Sequence, residues 1–324
     1  MPKTQTDSRA KAYKSWLILL IILAICFLFA LAIGSEWVNP FNVDQTGYAI
    51  LYEIRLPRIL LAIGVGICLS TSGASLQAML RNPLAEPYLL GVSNGAALGT
   101  ILAILFAGSN AIVQAGFAFG GAAFAMCCVY ALSKTKAGIN VERLVLSGVI
   151  ITSLLSAVII LLTGLLDAAR LRGFTFWLLG DLSGAGYPGA IIAIGAGLLG
   201  TAICFFKASA LNLMMVGERD AVDFGVELNS TRLVIFIAAS LMVGAAVAAG
   251  GSVGYVGLVI PHLIRLAMGS DNRLVIPSSA IGGAAFVVLA DMLARSVAAP
   301  RELPIGAITA LIGAPIFVHL LARK

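Results

Sequence analysis

Residues 81–99 read RNPLAEPYLLGVSNGAALG. Two prolines, Pro83 and Pro87, are followed by Gly91, Gly95 and Gly99 at a spacing of four. In water, Asn82-Pro83 would mark a turn and Gly95 would punctuate a loop. Yet after Glu86 no Asp, Glu, Lys, Arg or His occurs before Lys134, and an apolar stretch of that length belongs in a bilayer. The composition agrees: of 324 residues, 60% are hydrophobic and 11% charged, against roughly 45–50% and about 25% in soluble domains. The net charge of +6 comes from basic residues scattered singly between apolar runs, with no basic face interleaved with aromatics, so nucleic acid is not an expected partner. The five cysteines lie in apolar runs without C-x-x-C spacing and read as small buried hydrophobes.

A charge at the bilayer centre costs about 2.5–3.5 kcal/mol on insertion scales, so charge-free stretches mark the spans. They are 15–35, 59–80, 87–133, 144–166, 182–206, 233–261, 274–290 and 303–318. A spanning helix needs about 20 residues. Stretch 87–133 therefore holds two spans, hinged near Gly108-Ser109-Asn110, and 233–261 holds one span and the start of another. The expectation is an all-α polytopic membrane protein of ten helices in a single transmembrane domain, 1–324. The first run, Ser15 to Ser35, exceeds the usual signal-peptide core of about 7–15 residues and is expected to be a retained first helix.

With ten spans both termini share a side. Placing them in the cytoplasm puts fifteen of the 21 lysines and arginines inside, leaving Arg55, Arg58, Arg170, Arg172, Arg295 and Arg301 outside, in the sense of the positive-inside rule. Lys3, Arg9, Lys11 and Lys14 then lie in a cytoplasmic tail, 1–14, and Arg323 and Lys324 at the other inner end.

Gly91, Gly95 and Gly99, with Gly116 and Gly120 in the next span, fit the small-residue spacing that lets helices approach closely in lipid. The preceding break, Asn82 to Pro87, is either a plain interhelical turn or irregular backbone, which is tolerated at membrane depth only where protein buries it or it lines an aqueous cavity. A comparable interruption, Gly250-Gly251-Ser252-Val253-Gly254-Tyr255-Val256-Gly257 before Pro261-His262, stands in the second half. The two helices ahead of these breaks run in opposite senses, which suggests a weak inverted repeat.

RLPRILLAIGVGICLSTSGASLQAMLRNPLAEPYLLGVSNGAALG (55–99), GSVGYVGLVIPHLIRLAMGSDNR (251–273) and ELPIGAITALIGAPIFVHLLARK (302–324) together resemble the FecCD-like permease family. Its members are membrane subunits of type II ABC importers for iron siderophores, haem and cobalamin. The resemblance covers the chain beyond residue 50. It implies a BtuC-like ABC permease fold in the bacterial cytoplasmic membrane and a homodimer or a pairing with a close paralogue. It further implies two cytoplasmic ABC ATPase subunits and an extracytoplasmic substrate-binding protein.

The residues are consistent with delegated energy. No G-x-x-x-x-G-K-[ST] occurs, so no phosphate-cradling loop is expected, and no cofactor: ATP and Mg belong to the partner. The polar interruption LNLMMVGERDAVDFGVELNSTR (211–232) mixes charged with apolar residues and suits two short amphipathic helices split at Gly225, or a solvated loop. The resemblance makes 211–229 the ATPase coupling segment, with Gly217, Glu218, Ala221 and Gly225 on the family pattern. It also makes Arg55, Arg58 and Arg295 the docking arginines for acidic residues of the binding protein, as guanidinium–carboxylate pairing would favour; interfacial snorkelling would place the same arginines without a partner. Asn82, Pro83 and Leu84, with Asn140 and Val141, then fall where the family closes its pathway at the cytoplasmic end.

Other chemistry is scarce. His262 and His319 have no His, Cys or carboxylate at ligand spacing, so packing is the expected role and no metal site is expected. Asp291 and Arg295 are one turn apart and suit an (i, i+4) pair. A secondary transporter would share the inverted repeat but needs coupling-ion carboxylates at mid-membrane, which the charge-free stretches do not supply. A membrane enzyme would need a convergent nucleophile, base or metal set, and none is legible.

Overall fold

The computed structural model describes residues 5–39, 44–108, 110–136 and 138–322. Lys3, Arg323, Lys324 and the hinge residue Ser109 lie outside the described residues. The charge-free stretches become helices because in lipid each backbone N–H and C=O must be satisfied within its own segment. The helices are α1 (Gln5–Ala32), α2 (Gln45–Ala49), α3 (Leu56–Met79), α4 (Val92–Phe106), α5 (Ala111–Ser133), α6 (Val141–Thr163) and α7 (Ala168–Leu178). They continue with α8 (Tyr187–Phe206), α9 (Ala208–Val216), α10 (Glu218–Asp223), α11 (Leu228–Gly250), α12 (Val256–Met268), α13 (Asn272–Ser296) and α14 (Ile305–Ala322). A small antiparallel hairpin, β1 (Lys134–Thr135) and β2 (Gly138–Ile139), joins α5 to α6. Among the described residues seven helices are long and apolar enough to cross a membrane, and Val92–Phe106, Val256–Met268 and Ile305–His319 are shorter apolar helices. Together they supply the ten membrane segments read from the sequence.

Polar side chains mark where helices begin. Asp44, Asn110, Asn140, Asp167 and Asp271 each accept a hydrogen bond from a backbone N–H in the first turn of the helix that follows, satisfying donors the helix cannot. Two boundaries differ from expectation. The second span does not start at residue 59, because a π-helical stretch, Ile50–Arg55, joins α2 to α3 in one helix, Gln45–Met79. The expected tail 1–14 is largely helical, since α1 reaches back to Gln5.

The hub is α3, packed against α8, α11, α12 and α13 and buried along almost its whole length. A helix apolar all round is stable only when surrounded, and small residues let its neighbours close in. A Cβ on Gly66 would stand 2.3 Å from the Gly283 carbonyl oxygen of α13, and one on Gly73 would stand 1.9 Å from that of Gly257 in α12. The α4–α5 pair is built the same way: Gly95 lies against Gly121, and Gly99 against the Phe117 carbonyl.

Two glycine readings are corrected here. At Gly91 a Cβ would meet Ile151 and Thr152 of α6 only at the ordinary distance of 3.4 Å; what requires glycine is its φ of +73°, which forms the left-handed turn into α4, a conformation in which other residues are strained. Gly116 and Gly120 have nothing within 4 Å of a Cβ, and it is Gly121 that faces α4.

Candidate functional site

The two irregular breaks meet. Asn82 folds its own turn, accepting at Oδ1 from the Leu84 amide at 2.9 Å. Glu86 Oε1 then accepts from the Tyr255 amide at 3.1 Å, where Tyr255 holds a left-handed φ of +67° at the start of α12. Tyr88 Oη donates to the Val253 carbonyl at 3.0 Å and lies 2.9 Å from the Val253 amide, and Ser93 Oγ donates to Ser252 Oγ at 3.1 Å. From α3, the Gln77 amide reaches the Gly257 and Leu258 carbonyls at 3.4 and 3.2 Å. Burial pushes the Glu86 carboxyl above its ordinary range, offset in part by the Tyr255 amide. Segments 159 or more residues apart thus satisfy one another's polar groups, as buried irregular backbone requires. Beside them lies a cavity of about 340 Å³, lined by Gln77, Arg81, Pro83, Met215, His262 and Arg265 among others. The His262 ring packs edge-on against Phe317 with centroids 5.8 Å apart.

The second expected closing segment lies at the α5–α6 hairpin. Asn140 caps α6, its Oδ1 accepting from the Arg143 amide at 2.9 Å, and Val141 is the first residue of the helix. The Arg232 guanidinium, in the first turns of α11, donates to the Ile139 carbonyl at 3.1 Å.

Segment 211–229 forms two helical pieces, but the break is at Gly217 and not at Gly225. Gly217 is extended between α9 and α10, whereas Gly225 takes a φ of +80° and turns the chain towards α11. The roles read from sequence divide accordingly. Val216, Val222 and Phe224 are exposed, Phe224 at 75%, while Ala221 is buried and cannot touch another subunit's surface. Glu218 turns inward: one oxygen, Oε1, lies 2.9 Å from Arg81 Nη2 and 2.8 Å from Arg232 Nη2.

The three arginines expected to await a docking partner are not open to solvent. Arg55, Arg58 and Arg295 are 3%, 4% and 5% exposed. Arg58 pairs with Asp291 at 2.7 Å and Glu302 at 2.8 Å, and Arg295 pairs with the second oxygen of Asp291 at 3.0 Å. Arg55 donates to the carbonyls of Leu31 and Ala32 in the last turn of α1 and to that of Glu36 just beyond it, and Arg295 to that of Ala30. The cluster ties α1, α3 and α13 together where desolvated guanidinium needs oxygen partners. The Asp291–Arg295 pair was legible from its spacing. Glu302 and the Arg58–Asp291 contact were not, because no local pattern relates residues 233 positions apart.

These features describe a membrane protein whose polar groups hold backbone breaks and helix ends. The family model described as the FecCD transport family matches residues 20–323. The chain belongs to this family. Curated relatives of this FecCD chain agree. The hemin transport system permease protein HmuU of Yersinia pestis is 37% identical over 95% of this chain and 94% of its own length. The cobalamin import system permease protein BtuC of Halobacterium salinarum is 40% identical over 91% and 79%. The ABC transporter permease protein YvrB of Bacillus subtilis is 39% identical over 99% and 97%. A solved inward-facing structure assigned to the metal-chelate type of ABC transporter superposes with a TM-score of 0.87 at 32% identity, covering 95% of this chain and 98% of that one. The FecCD protein is thus a multi-span permease subunit of an ABC importer, with the fold of that class.

Proposed function

We propose that this permease carries a large metal chelate, of the iron-siderophore, haem or cobalamin class, from an extracytoplasmic binding protein into the cytoplasm. ATP would be hydrolysed by two separate ATPase subunits, and two copies of the chain, or one with a close paralogue, would form the pathway. The carrying observation is the exposed apolar rim of α9–α10, formed by Val216, Val222 and Phe224. Exposed apolar residues rimmed by charge mark an interaction surface, and this rim stands at the end that also carries Arg81 and the α5–α6 hairpin. That end is the cytoplasmic one in the proposed orientation, with both termini inside. The breaks at Asn82–Leu84 and Asn140–Val141 would form part of the gate, since turns can rotate about a few torsions without losing helical hydrogen bonds. The binding protein would dock at the opposite end, where Arg58 keeps a pair with the half-exposed Glu302; the burial of Arg55, Arg58 and Arg295 gives them a structural role there in the isolated chain. No cofactor would be bound by this chain.

The test is reconstitution of the permease with its ATPase and binding protein in liposomes, offering hemin, cyanocobalamin and a ferric hydroxamate in turn. ATP-dependent uptake of one of the three is expected. ATP-independent uptake driven by a proton or sodium gradient would instead make the chain a secondary carrier.

A further inference from the structure

We infer that Arg81 and Arg232 are positioning residues that, through the single carboxylate of Glu218, join the α9–α10 turn to both segments of the gate. The inference rests on the reading of that turn as the ATPase seat and of Asn82–Leu84 and Asn140–Val141 as the gate.

Three contacts carry it. Glu218 Oε1 lies 2.9 Å from Arg81 Nη2 and 2.8 Å from Arg232 Nη2. Arg232 also donates to the Ile139 carbonyl at 3.1 Å, one residue before Asn140. Arg81 directly precedes Asn82 and holds a left-handed φ of +50°, which turns the chain out of α3 into the break. One oxygen on α10 is therefore bonded to the residue entering the first gate segment and to the residue holding the second.

Glu218 was expected from sequence to meet the ATPase. Its geometry gives it another task. The exposed Val216, Val222 and Phe224 are left to form the seat, and the carboxylate passes the seat's displacement inward.

The two arms differ in strength for a physical reason. The Arg232 side chain is 10% exposed and, among the described residues, Glu218 is the carboxylate it pairs with; its Nε has no hydrogen-bond partner, so separation would leave a desolvated charge held by the Ile139 carbonyl alone. The Arg81 side chain is 48% exposed, and water screens that pair. The hairpin arm stays closed while the Arg81 arm can part and re-form. A second contact braces the hairpin: the Asn229 side chain of α11 fills the space beside Gly138, whose φ is +108°.

The experiment uses the full transporter with Asn82→Cys on a background lacking the five native cysteines. The rate of labelling by a water-soluble maleimide is compared without nucleotide and after trapping with ATP and vanadate. If the gate reading holds, the reference complex changes its labelling rate with nucleotide. Arg81→Ala should remove that change, bringing the ratio of the two labelling rates to about onefold, and Arg81→Lys should restore much of it. Arg232→Ala, read with Asn140→Cys in place of Asn82→Cys, should remove the change at the second segment, because that arm runs through Arg232 to the Ile139 carbonyl. Should Arg232→Ala fail to assemble, the half-exposed Arg81 decides alone. A full nucleotide response in Arg81→Ala overturns the inference and leaves the gate reading standing. A reference complex with no response overturns both.

Discussion

Replacing Gly99 by alanine should separate three reasons for which this chain uses glycine. A Cβ there would stand 1.9 Å from the Phe117 carbonyl oxygen and 2.6 Å from its carbon. Both are backbone atoms of α5 and cannot swing aside. To restore an ordinary contact of 3.4 Å, α4 and α5 must part by about 1.5 Å, opening the seam on which close packing in lipid depends. Overpacking of this kind costs about 1–3 kcal/mol. Gly91→Ala meets no such clash, its nearest neighbours being 3.4 Å away, but keeps a φ of +73° at a cost of about 1–2 kcal/mol. Asparagine, which tolerates that region, should recover much of the loss at 91 and none at 99. Gly116→Ala touches nothing within 4 Å and should be neutral or stabilising by up to ~1 kcal/mol, the helix propensity difference. The assay is thermal unfolding of the purified subunit in detergent, read by a thiol-reactive dye: Cys68 and Cys204 are fully buried and react only on unfolding, above the background of exposed Cys127. If Gly116→Ala destabilises as much as Gly99→Ala, the packing argument is wrong.

The outer cluster gives a second contrast: Asp291→Asn leaves Arg58 and Arg295 without their shared buried anion and should cost about 3–5 kcal/mol. Glu302→Gln, whose side chain is 44% exposed, should cost under about 1 kcal/mol in the same melt. Glu86 sets a pH dependence. With its carboxyl raised above the ordinary 4.5 by burial, the folded state binds the proton more tightly than the unfolded one. Stability relative to Glu86→Gln should therefore fall as pH rises from 4.5 through the folded value, and parallel pH profiles for the two proteins would refute the assignment. Phe224→Asp and Val222→Asp, both at exposed positions, should prevent co-purification of the ATPase while shifting the subunit's melting temperature little. Retained co-purification would move the seat elsewhere.

The membrane class, the segment count and the two main breaks, at Asn82–Pro87 and Gly250–Gly257, were legible in the residues alone, whereas the break expected at Gly225 lies at Gly217. Each is set by a local quantity: a run of about 20 residues without charge, or a proline or glycine that regular helix does not favour. Asn82-Pro83 and Gly250-Gly251 announced breaks wherever their neighbours stood, and the spacing of Asp291 and Arg295 announced their pair. Function was legible through whole motifs, such as 55–99 and 251–273, and not through any reactive group. What only the tertiary structure decided is which residues meet. Whether a glycine serves packing or a turn depends on what stands opposite it, so Gly91 and Gly121 could not be sorted from the spacing of four. Arg58 looked like a surface cation until α13 and the segment before α14 brought Asp291 and Glu302 against it. Glu218 looked outward from the chain until Arg81 and Arg232 arrived from 137 positions before it and 14 after it. A bilayer rewards every segment that hides its charge and satisfies its backbone, which is a local condition. The partner that hides each charge is chosen by how the helices pack.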